Sequence, residues 1–371
     1  MLNLHIMCHL FRKGEISTMS KLMSKIKVLI PGLIYSLGVA TPAHLLGKKF
    51  PIAGGAVIAI LMGMAINIFY KPEGSLAPGI KFTSKIVLQA AVVLLGFGLN
   101  LSVVVQIGVS SLPIIVTTIS SSLLIAYVMQ KVLKVDKQIA TLIGVGTSIC
   151  GGSAVAATAP VIDADDEKVA QSISVIFFFN VLAALIFPSF GGWIGIPHVN
   201  GEAFGIFAAT AVNDTSSVTA TASTWDTLYN LGSQTLDHAV TVKLTRTLFI
   251  IPITVVLAFM RGRKGTEGKG SAKKEKFNLK KAVPVFIWLF VLASLITTIV
   301  EAVSLPYVTE VFDFFKSTSK FFIVMAMAAI GLNTDVVKLI KTGGKPILLG
   351  FSCWVVVTAV GLLMMKLMGV F

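Results

Sequence analysis

Residues 144–160 read GVGTSICGGSAVAATAP, and this stretch decides the fold because it breaks a helix within a long apolar run. It contains four glycines, two serines, two threonines and a closing proline. Glycine and proline weaken a helix, and a broken backbone at membrane depth is tolerated only where it lines a cavity or packs against protein. A face of small residues for close helix packing is the alternative explanation. We predict that residues 147–153 do not form a continuous helix.

The composition around this stretch is that of a membrane protein. Hydrophobic residues make up 55% of the 371 residues and charged residues 13%, and the mean hydropathy is +0.88. Soluble proteins carry roughly twice that share of charge. The net charge of +14 comes largely from basic loops beside apolar runs, which indicates membrane orientation rather than nucleic-acid binding. Three scattered cysteines predict neither a disulfide framework nor a zinc site, and we expect no cofactor.

The apolar runs predict an all-α polytopic membrane protein with about eleven transmembrane helices of roughly 20 residues. We expect a single transporter domain at residues 28–371, after a cytoplasmic segment at residues 1–27. Translation could start at Met1, Met19 or Met23. The runs fall at about residues 28–46, 52–70, 86–105, 112–130, 139–160, 169–190, 203–222, 239–259, 282–303, 320–337 and 346–368.

Lysine and arginine collect on one side of this arrangement. The predicted inner segments hold 23 of them and the predicted outer loops hold five. Cytoplasmic loops carry such an excess, so the pattern predicts a cytoplasmic N-terminus and an external C-terminus in a bacterial inner membrane. The Gly/Lys-rich linker at 261–281 is then cytoplasmic, and the acidic run at 163–167 is expected outside.

An internal repeat indicates inverted architecture. GLNLSVVVQIGVSSLPII at 98–115 aligns without gaps on GLNTDVVKLIKTGGKPIL at 331–348, with eight identities in 18 positions. The copies lie on the third and tenth candidate spans, so they run in opposite directions, as in many secondary transporters. A weaker echo relates SAVAATA at 153–159 to SSVTATA at 216–222. Those two spans would run in the same direction, which does not fit an inverted repeat.

The broken stretch is also a candidate anion site. Backbone N–H groups freed at the start of a half-helix, with hydroxyl groups nearby, form a cradle for an anion. The residues predicted to bind substrate here are Thr147, Ser148, Gly151, Gly152 and Ser153.

A second polar segment, AVNDTSSVTATAS at 211–223, lies within another apolar run. Asp214 at membrane depth is costly and is therefore a functional candidate, carrying a proton or binding Na⁺. The residues predicted to couple transport to an ion are Asn213, Asp214, Thr215 and Ser216. The alternative is that Asp214 caps a helix near the membrane interface.

Lys243 and Arg246 are three residues apart within a candidate span, so they share one helix face. Two positive charges at that depth need a partner or a water-filled site. We expect them to line one cavity with residues 147–153 and Asp214, and to neutralise an anionic substrate. Neutralising either one should abolish anion transport and leave the fold largely intact. The alternative is that both side chains reach the membrane interface.

The 144–160 stretch, the NDTS segment, the VKLTR helix and the GLN-containing terminal repeat resemble the UPF0324 membrane proteins, also called the YeiH-type family of inferred sulfate exporters. The resemblance covers nearly the whole chain from about residue 28. It implies the fold of the bile-acid symporter and cation/proton antiporter superfamily, with a panel domain and a core domain that contains broken, crossing helices. Family members commonly have His-Asp where this chain has Asn213-Asp214, so a proton-carrying histidine is not expected there.

We therefore expect a secondary transporter of sulfate, a sulfonate or a similar small inorganic or organosulfur anion, coupled to H⁺ or Na⁺ and embedded in the lipid bilayer. Export is one of the two directions open to it. A cation/proton antiporter that uses Asp214 and Lys243 is the alternative. An enzyme is not expected because no HExxH or similar set is present. Broken helices around a polar site argue against a channel. The substrate, the direction, the coupling ion and whether the chain forms a homodimer stay open.

Overall fold

The computed structural model describes residues 27–49, 55–264, 285–303, 308–334 and 344–371. Every regular element in these residues is helical, which confirms the predicted all-α fold. Eight helical segments in these residues are long and apolar enough to cross a membrane. Most of the predicted N-terminal segment 1–27 and of the linker 261–281 lies outside the described residues.

The described residues form fifteen helices, labelled in chain order. The first eight are α1 Lys27–Lys49, α2 Gly55–Phe69, α3 Ala77–Gly96 with a π-helical turn at Thr83–Val87, α4 Leu101–Ser110, α5 Leu112–Leu133, α6 Lys137–Ser148, α7 Gly152–Thr158 and α8 Asp166–Trp193. The remaining seven are α9 Glu202–Ala211, α10 Thr215–Tyr229, α11 Gln234–Thr247, α12 Ile250–Lys264, α13 Val285–Val303, α14 Val308–Asn333 and α15 Lys345–Leu367.

The fifth apolar run does not cross the membrane but folds back on itself. The chain turns between α6 and α7 at Gly151, whose φ of 69° is open to glycine at little cost. Gly146 of α6 then lies against Val155 of α7. At the base, the Gln138 side chain donates a hydrogen bond of 2.8 Å to the carbonyl oxygen of Asp163. A straight helix would place those two residues about 37 Å apart. Residues 137–158 therefore form a re-entrant pair of helices, the first hairpin.

The seventh apolar run forms a second hairpin at residues 202–229. Its arms, α9 and α10, lie side by side, and the rings of Phe204 and Trp225 stack with centroids 3.8 Å apart. Both rings also approach Gly191 near the end of α8. The chain turns at residues 212–214, where Val212 and Asp214 are extended. The second hairpin therefore starts and finishes at the same end of α8.

The two hairpins enter from opposite faces of the membrane. Lys168, at the start of α8, pairs with Asp136 at 3.1 Å beside the base of the first hairpin. The base of the second hairpin lies at the other end of α8, which has 28 residues and so spans about 42 Å. We call the first surface the Lys134 face and the second the Val199 face, after exposed residues in the adjoining loops.

This arrangement corrects the predicted topology at one loop. The acidic run Asp163, Asp165, Asp166 and Glu167 was expected opposite Lys134, but it lies on the Lys134 face because the first hairpin returns there. Within the described residues, eight helical segments are long and apolar enough to cross, and two segments are re-entrant. The eight are α1, α3, α5, α8, α11 with α12, α13, α14 and α15, and the shorter apolar helix α2 packs among them.

The re-entrant geometry also explains the weak echo in the sequence. SAVAATA at 153–159 belongs to the returning arm of the first hairpin, and SSVTATA at 216–222 belongs to the returning arm of the second. Because the hairpins enter from opposite faces, these arms run in opposite directions. The echo therefore fits an inverted relation, which it could not do between two full spans.

Each copy of the longer repeat, at 98–115 and 331–348, connects one long helix to the next. Its first copy links α3 to α5 and contains α4. Its second copy links α14 to α15, although residues 335–343 lie outside the described part of the chain. Helices α3 and α14 are antiparallel neighbours, since Ser319 donates a hydrogen bond of 2.7 Å to the carbonyl oxygen of Ala91 and Gly98 lies against Lys316.

The helices form two layers. A panel contains α1, α2, α3, α13 and α14, with close approaches at Gly32 to Gly79 and at Gly63 to Gly331. Small residues permit such approaches between membrane helices. A core contains α5, α8, α11, α12, α15 and both hairpins. The panel packs against the core chiefly through α10, which contacts α2 and α14.

Candidate functional site

The two hairpin tips meet in the middle of the core. A Cβ atom added to Gly151, at the first tip, would lie 2.9 Å from Cβ of Asp214, at the second. The same position is 3.6 Å from Nδ2 of Asn180. Asn180 stands halfway along α8, whose two ends mark the bases of the two hairpins. The meeting point of the tips is therefore near the middle of the membrane. The hairpins meet tip to tip here and do not cross as spans.

The first tip confirms the predicted break at residues 147–153. Helix α6 ends at Ser148, Ile149 leaves helical geometry, and α7 begins at Gly152 with no side chain as its cap. The amides of Gly152 and Ser153 have no hydrogen-bond acceptor among the described residues. Ser153 is exposed and Gly152 is partly so. Of the five residues predicted here, Gly152 and Ser153 offer free donors, whereas Thr147 and Ser148 contribute carbonyl oxygens.

Those carbonyl oxygens are bound by Arg246, which is fully buried on α11. Its Nη2 donates a hydrogen bond of 2.8 Å to Thr147, and its Nε donates to the carbonyl oxygen of Ser148. Its Nη1 donates to the carbonyl oxygen of Thr210, in the first arm of the second hairpin. One guanidinium therefore holds the C-terminal ends of α6 and α9 together.

Lys243, one turn earlier on α11, is also fully buried and serves the second hairpin alone. Its Nζ donates a hydrogen bond of 2.8 Å to the carbonyl oxygen of Val212 and lies 3.5 Å from that of Ala209. The C-terminal end of a helix carries a partial negative charge, so a cation there is stabilising. Neither cation forms an ion pair with a carboxylate among the described residues. Their donors point to hairpin carbonyl oxygens, not to an open cavity or to the membrane interface.

The second tip holds the predicted ion-coupling residues. Asp214 caps α10: Ser217 N donates to its Oδ1 at 2.7 Å, and the Ser216 hydroxyl donates to its Oδ2 at 2.9 Å. The helix-cap explanation is therefore right about its geometry, but Asp214 is 8% exposed and lies at the meeting of the tips, not at the interface. Thr215 begins α10 beside it. The side-chain oxygen of Asn213 is buried and has no partner among the described residues.

Asn180 is the site residue that the sequence analysis missed. Its Oδ1 accepts a hydrogen bond of 3.2 Å from the backbone N–H of Asn213. Its signal in the sequence is a lone amide within the apolar run VIFFFNVLAALIF at 175–187. A polar side chain in the middle of a membrane helix is costly and marks a functional candidate. The run lies between two longer polar segments, at 144–160 and 211–223.

Comparisons with known proteins agree with the family resemblance. Residues 31–350 match the family model described as conserved hypothetical protein 698. UPF0324 membrane proteins of Streptococcus pyogenes serotype M6 and Streptococcus mutans serotype c are each 57% identical over 341 residues, which is 92% of this chain and 98% of each relative. A UPF0324 membrane protein of Fusobacterium nucleatum is 53% identical over 350 residues, with the same shares covered. No solved structure matches.

Proposed function

We propose that this chain, which belongs to the UPF0324 family of membrane proteins, is a secondary active transporter of a small oxyanion such as sulfate or a sulfonate. Transport would be coupled to H⁺ or Na⁺. The protein would lie in a bacterial inner membrane with the Lys134 face in the cytoplasm, because the basic loops collect on that side. We assign it to transporters and not to enzymes.

The observation that carries this proposal is the charge buried where the hairpins meet. Lys243 and Arg246 are both fully buried, and Asp214 is the one carboxylate among the residues described at the tips. The two C-terminal and two N-terminal helix ends there contribute roughly half a charge each and cancel. The site therefore keeps an excess of about one positive charge. An excess positive charge at membrane depth is best balanced by an anion.

The geometry also suggests how each group contributes. Because Arg246 and Lys243 bind the carbonyl oxygens of α6 and α9, they cancel the negative helix ends that would repel an anion. The free N–H groups of Gly152 and Ser153 are then the donors that face a substrate. Half-helix starts meet anionic substrate groups in the same way in other transporters.

Alternating access is supported by the uneven packing of the panel. Helix α10, in the hairpin from the Val199 face, packs against α2 and α14 of the panel. In the hairpin from the Lys134 face, Ser153 and Ala156 of α7 are exposed. An arrangement that is closed at one face and accessible from the other is expected of one state in a transport cycle.

A cation/proton antiporter is the second candidate, favoured by one observation at the second tip. The buried side-chain oxygen of Asn213 has no partner in the described residues, and it adjoins the Asp214 carboxylate. Oxygen ligands of this kind suit Na⁺. In this alternative Asp214 binds the cation or a proton, and Lys243 is its counter-ion.

Flux into proteoliposomes separates the two functions. Labelled sulfate and a labelled sulfonate would be offered with and without pH and Na⁺ gradients, and cation-driven proton flux would be followed in parallel. We expect saturable anion uptake that a gradient accelerates. Full anion uptake by a Lys243→Gln, Arg246→Gln double variant would end the anion proposal. Cation-driven proton flux without any anion flux would establish the antiporter.

A further inference from the structure

Asn180 is buried where three elements converge. It is 1% exposed, it stands at the midpoint of α8, and both Gly151 and Asn213 adjoin its side chain. The first hairpin approaches it from the Lys134 face and the second from the Val199 face. A side chain in this position adjoins both tips and lies on a helix that belongs to neither.

The orientation of the Asn180 amide is fixed by its neighbour. The backbone N–H of Asn213 can only donate, so the atom that accepts its hydrogen bond at 3.2 Å is the Asn180 oxygen. The other end of the amide is therefore the Nδ2 group. That group is buried and has no acceptor among the described residues. It lies 3.6 Å from the position that a Cβ atom on Gly151 would occupy, so it faces the first tip.

A buried donor without an acceptor is costly, and buried polar groups in native proteins are nearly always paired. We infer that Asn180 binds the substrate directly, with its Nδ2 group donating a hydrogen bond to an oxygen atom of an oxyanion. This inference rests on the proposed function and adds Asn180 to the residues that bind the substrate. An N–H donor cannot coordinate a bare cation, so Asn180 makes the site selective for an anion over Na⁺.

The Asn180→Asp variant tests this at a single atom. Aspartate has the same shape and can still accept the hydrogen bond from Asn213, so the contact between α8 and the second tip is kept. Only the donor is replaced, by an oxygen that repels an anion. Hydrogen bonds to charged groups are worth more than neutral ones, so we expect the half-saturating concentration of sulfate or sulfonate to rise by about 10- to 100-fold.

Ser172→Ala is the matched control, since Ser172 lies on the same helix, is fully buried and also carries a side-chain oxygen without a partner in the described residues. It should leave the half-saturating concentration unchanged. Asn180→Ala, which removes both ends of the amide, should weaken anion binding as well. Gel filtration of each variant in detergent checks that it is folded.

The outcomes separate this inference from the proposal beneath it. Wild-type protein that transports neither sulfate nor a sulfonate, nor any other oxyanion offered, would overturn both. Wild-type protein that transports an anion, together with an Asn180→Asp or folded Asn180→Ala variant of unchanged half-saturation, would overturn the role of Asn180 alone. A rise of 10-fold or more in Asn180→Asp and none in Ser172→Ala supports it.

Discussion

Gln138 donates its side-chain amide to the carbonyl oxygen of Asp163 at 2.8 Å, across 25 residues of chain. The contact joins the start of α6 to the end of the loop that follows α7. It is strengthened by Lys168, whose Nζ lies 3.0 Å from the Gln138 side-chain oxygen. Residues on either side of the first hairpin therefore belong to the same membrane face.

We predict from this contact that a cysteine at Pro160 and one near residue 270 are protected from an impermeant thiol reagent in intact cells. A cysteine at Val199, which is exposed on the other face, should react. Both protected positions should react after the cells are permeabilised. The parent chain with Cys8 replaced by serine is the blank, because the two remaining native cysteines, Cys150 and Cys353, are buried. Labelling at Pro160 in intact cells would show that residues 137–158 cross the membrane and do not form a re-entrant hairpin.

Much of the fold could be predicted because membrane helices are long and apolar. The helix at 112–130 and the helix at 346–368 were placed to within a few residues, since lipid demands about 20 apolar residues per crossing. The hairpins could not be recognised this way. Residues 139–160 are as long and as apolar as a span, and contacts between distant residues, such as Gln138 with Asp163, are needed to distinguish a return from a crossing.

The site was predicted in part for the same physical reason. Asp214, Lys243 and Arg246 were found because charge at membrane depth is costly. Their partners could not be read from the sequence, since Arg246 binds backbone carbonyl oxygens and every residue type has one. Asn180 lies outside the segments that were singled out, and its role depends on which atom of the amide is left without a partner.

Gly151→Ala should disrupt the first tip. Gly151 has φ 69° and ψ −129°. Residues other than glycine avoid this conformation, because adopting it costs them about 1–3 kcal/mol. The added methyl group would also meet Asp214 at 2.9 Å. We expect a lower melting temperature in detergent and loss of anion uptake. Gly152→Ala is the control, because its methyl group meets only Phe177 at 3.6 Å and its N–H remains. Equal behaviour of the two variants would contradict a tip of this geometry.

Arg246→Gln should destabilise the protein as well as stop anion transport. The earlier expectation of an intact fold assumed a hydrated cavity, but the guanidinium is fully buried between Thr147 and Thr210. Buried carbonyl oxygens left without a donor cost about 1–3 kcal/mol. Arg246→Lys keeps the charge but cannot reach both hairpins, so its melting temperature should fall while some uptake remains. A Gln variant as stable as wild type would show that the guanidinium does not join the hairpins.

Asp214→Asn should separate the charge of Asp214 from its role as a helix cap. Asparagine caps a helix about as well as aspartate, so the melting temperature should change little. Asp214→Ala removes the hydrogen bond from Ser217 and should cost about 1 kcal/mol. If Asp214 couples anion transport to an ion, both variants should still exchange labelled anion but should not respond to a pH or Na⁺ gradient. Gradient-driven uptake that survives in Asp214→Asn would assign the coupling elsewhere.

Lys316 and Asp237 are expected to hold the Val199 face closed. Lys316 lies on α14 of the panel and Asp237 on α11 of the core, with 3.9 Å between Nζ and Oδ2. A transporter that opens at this face must separate the two layers, and therefore this pair. Asp237 is buried and Lys316 is partly exposed, so reversing the charge of Lys316 leaves a buried carboxylate without its cation. Lys316→Asp or Asp237→Lys alone should change the rate of anion exchange by several-fold, and the double exchange of charges should restore it.

The control is Lys320→Gln on the same helix, which removes an exposed hydrogen bond to Gly232 and should have a smaller effect. Single reversals with wild-type exchange rates would mean that other contacts, such as those of α10 with α2 and α14, keep this face closed.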